Sequence, residues 1–426
     1  MIYDIKNFGA VGDGKTLCTA ALQQAIDSCA AAGGGRVLIS YGRYMSGTIK
    51  LRSGVDLHIA SNGVLLGSPD CKDYPEPENM LHTTRELLPR ERGACFIYAE
   101  EAENISITGM GRIDCNGTAF VKKKDEADWR CWGYERIDAP TPPRVVFFTG
   151  CKNVKVTDVT MVNQPAGWSY WIHDCDYVTF DRCKVIADVH YPNNDGIHIN
   201  CSRNVNVSNC DITCGDDCII VRANCSSLKE NKVCEKVTVT NCNLTSWSSG
   251  IRIGWINDGT IRNCTFSNLV MTDTSVGIGI ALPQRRGETR LSDEGRQNTL
   301  IENLSFNNII MDGINANSVL VFVADCENTH VEAIRSLYFS GIRARAAAQP
   351  VLYGRRDVII ENVQFRDCTF ERRGSFNRCH GGWGSLGYVK EHSGGSIIMN
   401  YVKNVTMNNT SFSNETLLDM VSDRSI

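Results

Sequence analysis

Apolar and polar positions alternate with a period of two along most of this chain, and the exception comes first. Between Thr19 and Ala32 the apolar residues Leu22, Ala25, Ile26 and Cys29 recur at helical spacing, and Gly33, Gly34 and Gly35 stop the run. One helix is predicted there. From Arg36 onward short alternating segments take over, at Arg36 to Ser40, Thr48 to Leu51, Val55 to Ile59 and Gly63 to Leu66, with Gly and Ser between them. Alternation puts successive side chains on opposite faces of a strand, so strands dominate from this point.

Further along, the alternation becomes a repeat of the form N-V-x-V-x-n-C-x-h, where h is apolar. Copies start at Lys152, Asp176, Arg203 and Glu235, with further ones near Thr260, Glu302, Glu361 and Lys403. From Val154 through Val178, Val205 and Val237 to Ile261, the first apolar residues stand 24, 27, 32 and 24 positions apart. Such a period, built from short strands and Asn- or Gly-rich turns with no helix between, predicts an all-β parallel β-helix, a solenoid. A leucine-rich horseshoe needs an L-x-x-L-x-L signature, and a propeller needs a longer, more even period. The expected organisation is one domain, with residues 1–36 as an N-terminal cap formed by the helix and residues 37–426 as a β-helix carrying loop insertions.

The 20 cysteines fit this picture better than a disulfide scaffold. Cys183, Cys210, Cys242, Cys264 and Cys368 are assigned to one inward position of the repeat, as small buried hydrophobes. Cys214 and Cys218 bracket an acidic turn, but no pair with zinc spacing follows, so no metal is expected. The balance of 44 basic and 48 acidic residues gives no field to draw nucleic acid or a membrane surface. The opening M-I-Y-D-I-K-N-F-G-A lacks a charged segment followed by an apolar core, and no run reaches membrane-spanning length. A cytoplasmic location follows as an expectation.

The chemistry concentrates between Asn193 and Arg222. Asp195, Asp216 and Asp217 each lie in a glycine-containing turn that enters a β-branched run. If those strands stack in parallel, residues 21 positions apart become neighbours and the carboxylates crowd together. Crowded carboxylates cannot all ionise at their ordinary pKa, so one is expected to keep its proton. A protonated carboxyl beside an ionised one is the equipment for cleaving a glycosidic bond. A G-D-D turn alone is also an ordinary polar corner; Asp195, one repeat earlier, is what favours the chemical reading. Alternation around inward Ile172, Ile197, Ile199, Ile219, Val221, Ile251 and Ile253 points Trp171, His173, His198, Arg222 and Arg252 outward. That column of aromatic and cationic groups suits a sugar. Asp195 and Asp217 do not share its face by simple alternation, and Gly196 and Gly215 mark the irregular backbone this requires.

Taken with F-G-A-V-G-D-G-K at Phe8 to Lys15 and G-G-G-R-V at Gly33 to Val37, these motifs resemble glycoside hydrolase family 28, the polygalacturonase family, over nearly the whole chain. Asn193, Asn194 and Asp195 match the family's N-T-D with one change, and Gly215, Asp216 and Asp217 match its G-D-D. The resemblance implies a right-handed parallel β-helix that hydrolyses pectic polymers with inversion and without a cofactor. It implies that Asp216 is the general acid and that Asp195 and Asp217 activate water. Substrate-binding positions are then Trp171, His173, Asn193, His198, Arg222, Ser249 and Arg252. Two motifs depart: the family's G-H-G is Ser248, Ser249, Gly250 here, and its R-I-K is Gly279, Ile280, Ala281. Arg222 and Arg252 are expected to supply the missing cations. The insert from Val121 to Pro143, with Trp129, Trp132 and Tyr134, is read as a wall at one end of a cleft, which favours exo-action on short, imported oligosaccharides. Two alternatives stay open, a polysaccharide lyase on the same fold and a non-catalytic glycan-binding module.

Overall fold

The computed structural model describes residues 1–76, 94–124, 133–137, 144–165, 167–255, 257–282, 297–323, 330–373 and 396–414. The chain divides into two compact units between Asp216 and Asp217; a short piece at Ser227–Lys229 joins the first unit.

In the first unit three parallel ladders run side by side through the chain. One stacks Gly35–Ile39, Val55–Ile59, Glu103–Thr108, Lys152–Thr157, Asp176–Asp181 and Arg203–Ser208. A second stacks Gly42–Ser46, Gly63–Gly67, Arg112–Asp114, Thr160–Val162, Lys184–Ile186 and Asp211–Cys214. The third, which carries the functional face, stacks Ile49–Lys50, Cys95–Glu100, Arg144–Thr149, Trp168–His173 and Ile197–Asn200. Each turn of chain gives one strand to each ladder, which is a parallel β-helix. The repeat valines Val154, Val178 and Val205 lie in register and are buried, as their spacing implies.

The second unit is built from longer strands. Cys234–Ser246, Thr260–Thr272, Thr299–Asn317 and Val331–Ala348 pair in parallel, and Ile360–Arg366 and Val402–Asn408 continue the ladder. A second ladder joins Ile219–Arg222, Ser249–Ile253, Val276–Leu282, Val319–Val323, Val351–Tyr353 and Ile398–Asn400. Inside, Phe266, Phe306, Phe339 and Phe365 stack with centroids 5.1, 5.0 and 4.9 Å apart, a spacing set by strand separation.

The polar positions of the repeat make its bends. The residue before the first apolar position is left-handed at Asn153, Tyr177, Asn204 and Lys236, and so is the residue before the cysteine at Arg182, Asn209, Asn241 and Asp367. Asn and Asp tolerate that region best. Their side chains also join neighbouring turns, as in Asn153 to Asn104 at 3.1 Å and Asn308 to Asn268 at 2.8 Å. The cysteine thiols turn inward and donate to the carbonyl two residues back, Cys183 to Asp181 at 3.6 Å, Cys210 to Ser208 at 3.1 Å and Cys242 to Thr240 at 3.2 Å.

One expectation is corrected here. Cys264 does not share the position of Cys242: Cys242 pairs in register with Leu269, while Cys264 pairs with Leu304 and belongs to the column of first apolar residues. Ile261 correspondingly pairs with Cys234 rather than starting a repeat.

The helix Thr19–Ala31 buries Leu22, Ala25, Ile26 and Cys29, and Gly33 and Gly34 close its end by donating to Ala30 and Cys29 carbonyls. No helix among the described residues is long and apolar enough to cross a membrane. Of the insert after Val121, the antiparallel strands Val121–Lys123 and Tyr134–Arg136 are described, whereas Trp129 and Trp132 lie outside the described residues. Tyr134 packs on Tyr191 with centroids 4.7 Å apart.

Candidate active site

Two loops of the first unit carry Asp195 and Asp216, and side-chain amides tie them together. Asn194 is buried; its Nδ2 donates to the Asp188 carbonyl at 2.8 Å, and its Oδ1 accepts the Gly215 N–H at 2.5 Å. Gly215 has no room for a side chain, because a Cβ there would lie 2.3 Å from the Tyr191 carbonyl oxygen and 2.7 Å from Asn194 Oδ1. The glycine of G-D-D is therefore required by the approach of the neighbouring loop. Asn193, left-handed at φ 52°, donates its amide to Asp216 Oδ2 at 3.1 Å.

These ties bring an oxygen of Asp195 and one of Asp216 within 4.8 Å of each other; Asp217 is the next residue in the chain. Asp195 and Asp217 are buried, at 5% and 7% exposed, while Asp216 is only partly so.

The second unit holds Asp217 through the turn where a G-H-G histidine was missing. Asp217 Oδ1 accepts the Ser248 hydroxyl at 2.8 Å, the Ser249 N–H at 3.1 Å and the Ser249 hydroxyl in a very short contact. Ser249, expected at the sugar, is fully buried against this carboxylate.

The outward column of the strands exists in register but not in water. Tyr98, Phe147, Trp171 and His198 are successive partners on the third ladder of the first unit, and all are buried. Phe147 stacks on Trp171 at 4.2 Å, and Trp168 stacks on His198 at 3.9 Å. The Arg144 guanidinium carbon sits 4.1 Å from the rings of both Trp168 and Trp171, a cation–π arrangement. His173 is fully buried, with Nδ1 accepting from the Asn200 amide at 2.6 Å and Nε2 bonded to Ser227 Oγ at 3.0 Å.

The expected cationic ladder is likewise corrected. Arg222 forms a two-pronged ion pair with buried Asp258, at 3.1 Å through Nε and 2.7 Å through Nη2. Arg252 is 0% exposed, donates to the carbonyls of Gly254 and Ala281, and lies 4.5 Å from the Trp255 ring centre. Both guanidinium groups are built into the second unit rather than presented on a solvated strand face.

Sequence reasoning did not single out Arg144, Trp168, Asn194, Ser248 or Asp258 as site or supporting residues. Aligning R-V-V-F-F-T with W-S-Y-W-I-H would have found the first two, since Arg144 pairs directly with Trp168. Asp258 lies beyond a strand end, where alternation says nothing.

A clustered set of carboxylates, one of them more exposed and bonded by an amide on one oxygen, is able to hand a proton to a leaving oxygen and hold a water. Comparison with known proteins agrees with that chemistry. An exopolygalacturonase of Zea mays is 25% identical over 336 residues, covering 72% of this chain and 76% of that relative. A hyperthermoactive exopolygalacturonase from Thermotoga maritima shares the fold with a TM-score of 0.71 at 20% identity, over 97% of this chain and 93% of that one. The family 28 exopolygalacturonase of Yersinia enterocolitica superposes with a TM-score of 0.65 at 19% identity, over 97% and 78% of the two chains. The family description Glycosyl hydrolases family 28 matches residues 83–328, more than half of the sequence. The chain therefore belongs to glycosyl hydrolases family 28 and is a glycosidase.

Proposed function

We propose that this glycosidase releases uronic-acid units from the ends of pectin-derived oligogalacturonides by single displacement with inversion. The observation that carries the reading is the approach of Asp195 and Asp216 on loops tied through Asn193, Asn194 and Gly215, with Asp217 next in the chain. The exo-acting relatives from Zea mays and Thermotoga maritima support the choice of substrate and of chain ends. The hairpin anchored by Tyr134 on Tyr191, three residues before Asn194, is read as a wall beside the site.

In this mechanism Asp216 is the general acid. The Asn193 amide donates to Oδ2 of Asp216, so that oxygen acts as an acceptor and the proton belongs on Oδ1. As the bond from the anomeric carbon to the leaving oxygen breaks, this proton moves to the leaving oxygen. Asp195 and Asp217 orient a water and take up its proton as its oxygen bonds to the anomeric carbon. The proton taken up by Asp195 or Asp217 passes to solvent, and a proton from solvent returns to Asp216, which resets the site. Trp171 and His198, with Arg144 and Trp168, form a buried aromatic and cationic layer on the ladder that carries Ile197–Asn200, and Arg222 and Arg252 are held within the second unit.

One observation favours a second reading. In retaining enzymes two carboxyl groups about 5 Å apart pass the sugar through a covalent glycosyl intermediate, and one oxygen of Asp195 lies within 4.8 Å of one of Asp216. Following the first product from an oligogalacturonide panel by NMR separates the two. An inverted anomer supports single displacement, a retained anomer replaces it with the covalent route, and no release of sugar from any member overturns the substrate reading.

Two further assignments belong to this proposal. The helix Thr19–Ala31 serves as the N-terminal cap, which buried Leu22, Ala25, Ile26 and Cys29 support. The enzyme works in a reducing, cytoplasmic setting, in keeping with thiols used as buried hydrogen-bond donors. Cell fractionation followed by immunoblotting checks the latter, and a purely extracellular pool excludes it.

A further inference from the structure

The turn Ser246–Gly250 carries more order than a polar corner needs. Three hydrogen bonds, from the Ser248 hydroxyl, the Ser249 N–H and the Ser249 hydroxyl, converge on Oδ1 of Asp217. Ser248 is held in turn, its N–H donating to Ser246 Oγ at 2.8 Å. The Ser246 N–H donates to Thr274 Oγ1 at 3.1 Å, and that hydroxyl donates to the Thr272 carbonyl at 2.9 Å. Gly250 completes the turn because a Cβ there would meet Met271 Sδ at 2.8 Å. Ser248 and Ser249 are at most 1% exposed, too deep to grip a sugar.

We propose that Ser248 and Ser249 are positioning residues that act through Asp217. A carboxylate is free to turn about its last bond, and a general base that turns loses its aim on the water. Donors approaching one oxygen from both a backbone and two hydroxyls fix that rotation, which sets the direction of Oδ2. Here two hydroxyls do this in a turn where a histidine stands in the polygalacturonase motif. Hydroxyls do not titrate in the working range, so the clamp stays engaged across the pH range in which an imidazole would change charge. The inference rests on the reading that Asp217 helps activate water.

The test is steady-state kinetics of the full chain on oligogalacturonides. In the Ser248→Ala/Ser249→Ala double variant kcat should fall by about 30-fold or more, with KM within about twofold, as expected when bonds to a charged, aimed group are lost. Ser249→Thr, which keeps a hydroxyl, should recover most of the Ser249→Ala loss. In an Asp217→Asn background the serine changes should add nothing, because the effect runs through that carboxylate. An unchanged kcat in the double variant overturns the proposal, and so does a raised KM at unchanged kcat, which would assign Ser249 to the sugar. Should the double variant fail to fold, Ser248→Ala alone decides: a loss of about fivefold in kcat supports the clamp, and wild-type turnover rejects it. Asp217→Asn that keeps wild-type turnover defeats the water-activation reading itself, whatever the serines do.

Discussion

The two units use the same parallel pairing and put it to different work. In the first, strands of two to six residues are separated by frequent bends, and the loops after Ile186 and Cys214 must be tied by side chains: Asn194 to Gly215, Asn193 to Asp216. In the second, four strands of 13 to 19 residues run on with a column of phenylalanines behind them. Interruption creates the places where polar groups gather, while continuity supplies apolar burial. The contrast implies that damage to the first should appear in turnover and damage to the phenylalanine column in stability.

The largest effect expected is from Asp216→Asn, which should lower kcat by about 10^3-fold or more while leaving substrate binding intact. Steady-state kinetics with isothermal titration of the same variant checks both halves, and residual turnover near wild type would remove Asp216 as the acid. On the other side of the contrast, Phe306→Ala breaks the stack between Phe266 and Phe339. It should cost about 3–5 kcal/mol of stability, read by denaturant unfolding, with kcat per folded molecule unchanged. A fall in kcat without loss of stability would blur the division of labour.

Asn194→Ala removes both ties of the acidic loop and should do some of each. A loss of about 1–3 kcal/mol, together with a drop of about tenfold in kcat, is expected. Arg252→Ala gives a sharper test of placement. With its guanidinium donating to Gly254 and Ala281 carbonyls, the variant should melt earlier at near-normal KM. A raised KM with an unchanged melting temperature would return Arg252 to the substrate.

The smallest effect is electrostatic. The N–H groups of Thr16 and Lys15 donate to the Asp13 carboxylate and hold its pKa down to about 2, below its ordinary 3.8. Because the folded pKa is the lower one, the stabilisation is present above about pH 4 and is lost as pH falls through about 2. The stability difference between wild type and Asp13→Asn should therefore narrow over that window in denaturation curves taken at stepped pH.

Much of the fold is legible because a solenoid repeats its evidence. Val154, Val178 and Val205 report their register through spacing alone, and the polar residue before each cysteine reports a left-handed bend. The same redundancy misleads at T-I-R-N-C-T-F. Apolar residues at both Ile261 and Cys264 fit the template, and only the pairing with Leu304 decides between them. The three acidic residues stand out in the sequence as a candidate cluster, but the approach of Asp195 and Asp216 depends on a loop packing against Gly215, which spacing does not show. The outward column failed for a different reason. A side chain pointing away from the strand core still becomes buried when others cover it, as Arg144 and Trp168 do at Trp171 and His198. Ser249 was placed by motif position alone, which carries no information about which partner its hydroxyl chooses.

The inward cysteines have an experimental consequence. Cys183 and Cys210 in one unit, and Cys242 and Cys368 in the other, sit at bends, with their thiols engaged by carbonyls two residues back. A thiol reagent reaches such a sulfur only when its own turn of the solenoid opens. Mass spectrometry of alkylation against time would then resolve opening turn by turn. The chain carries a set of chemical clocks along its length, in place before any label is introduced.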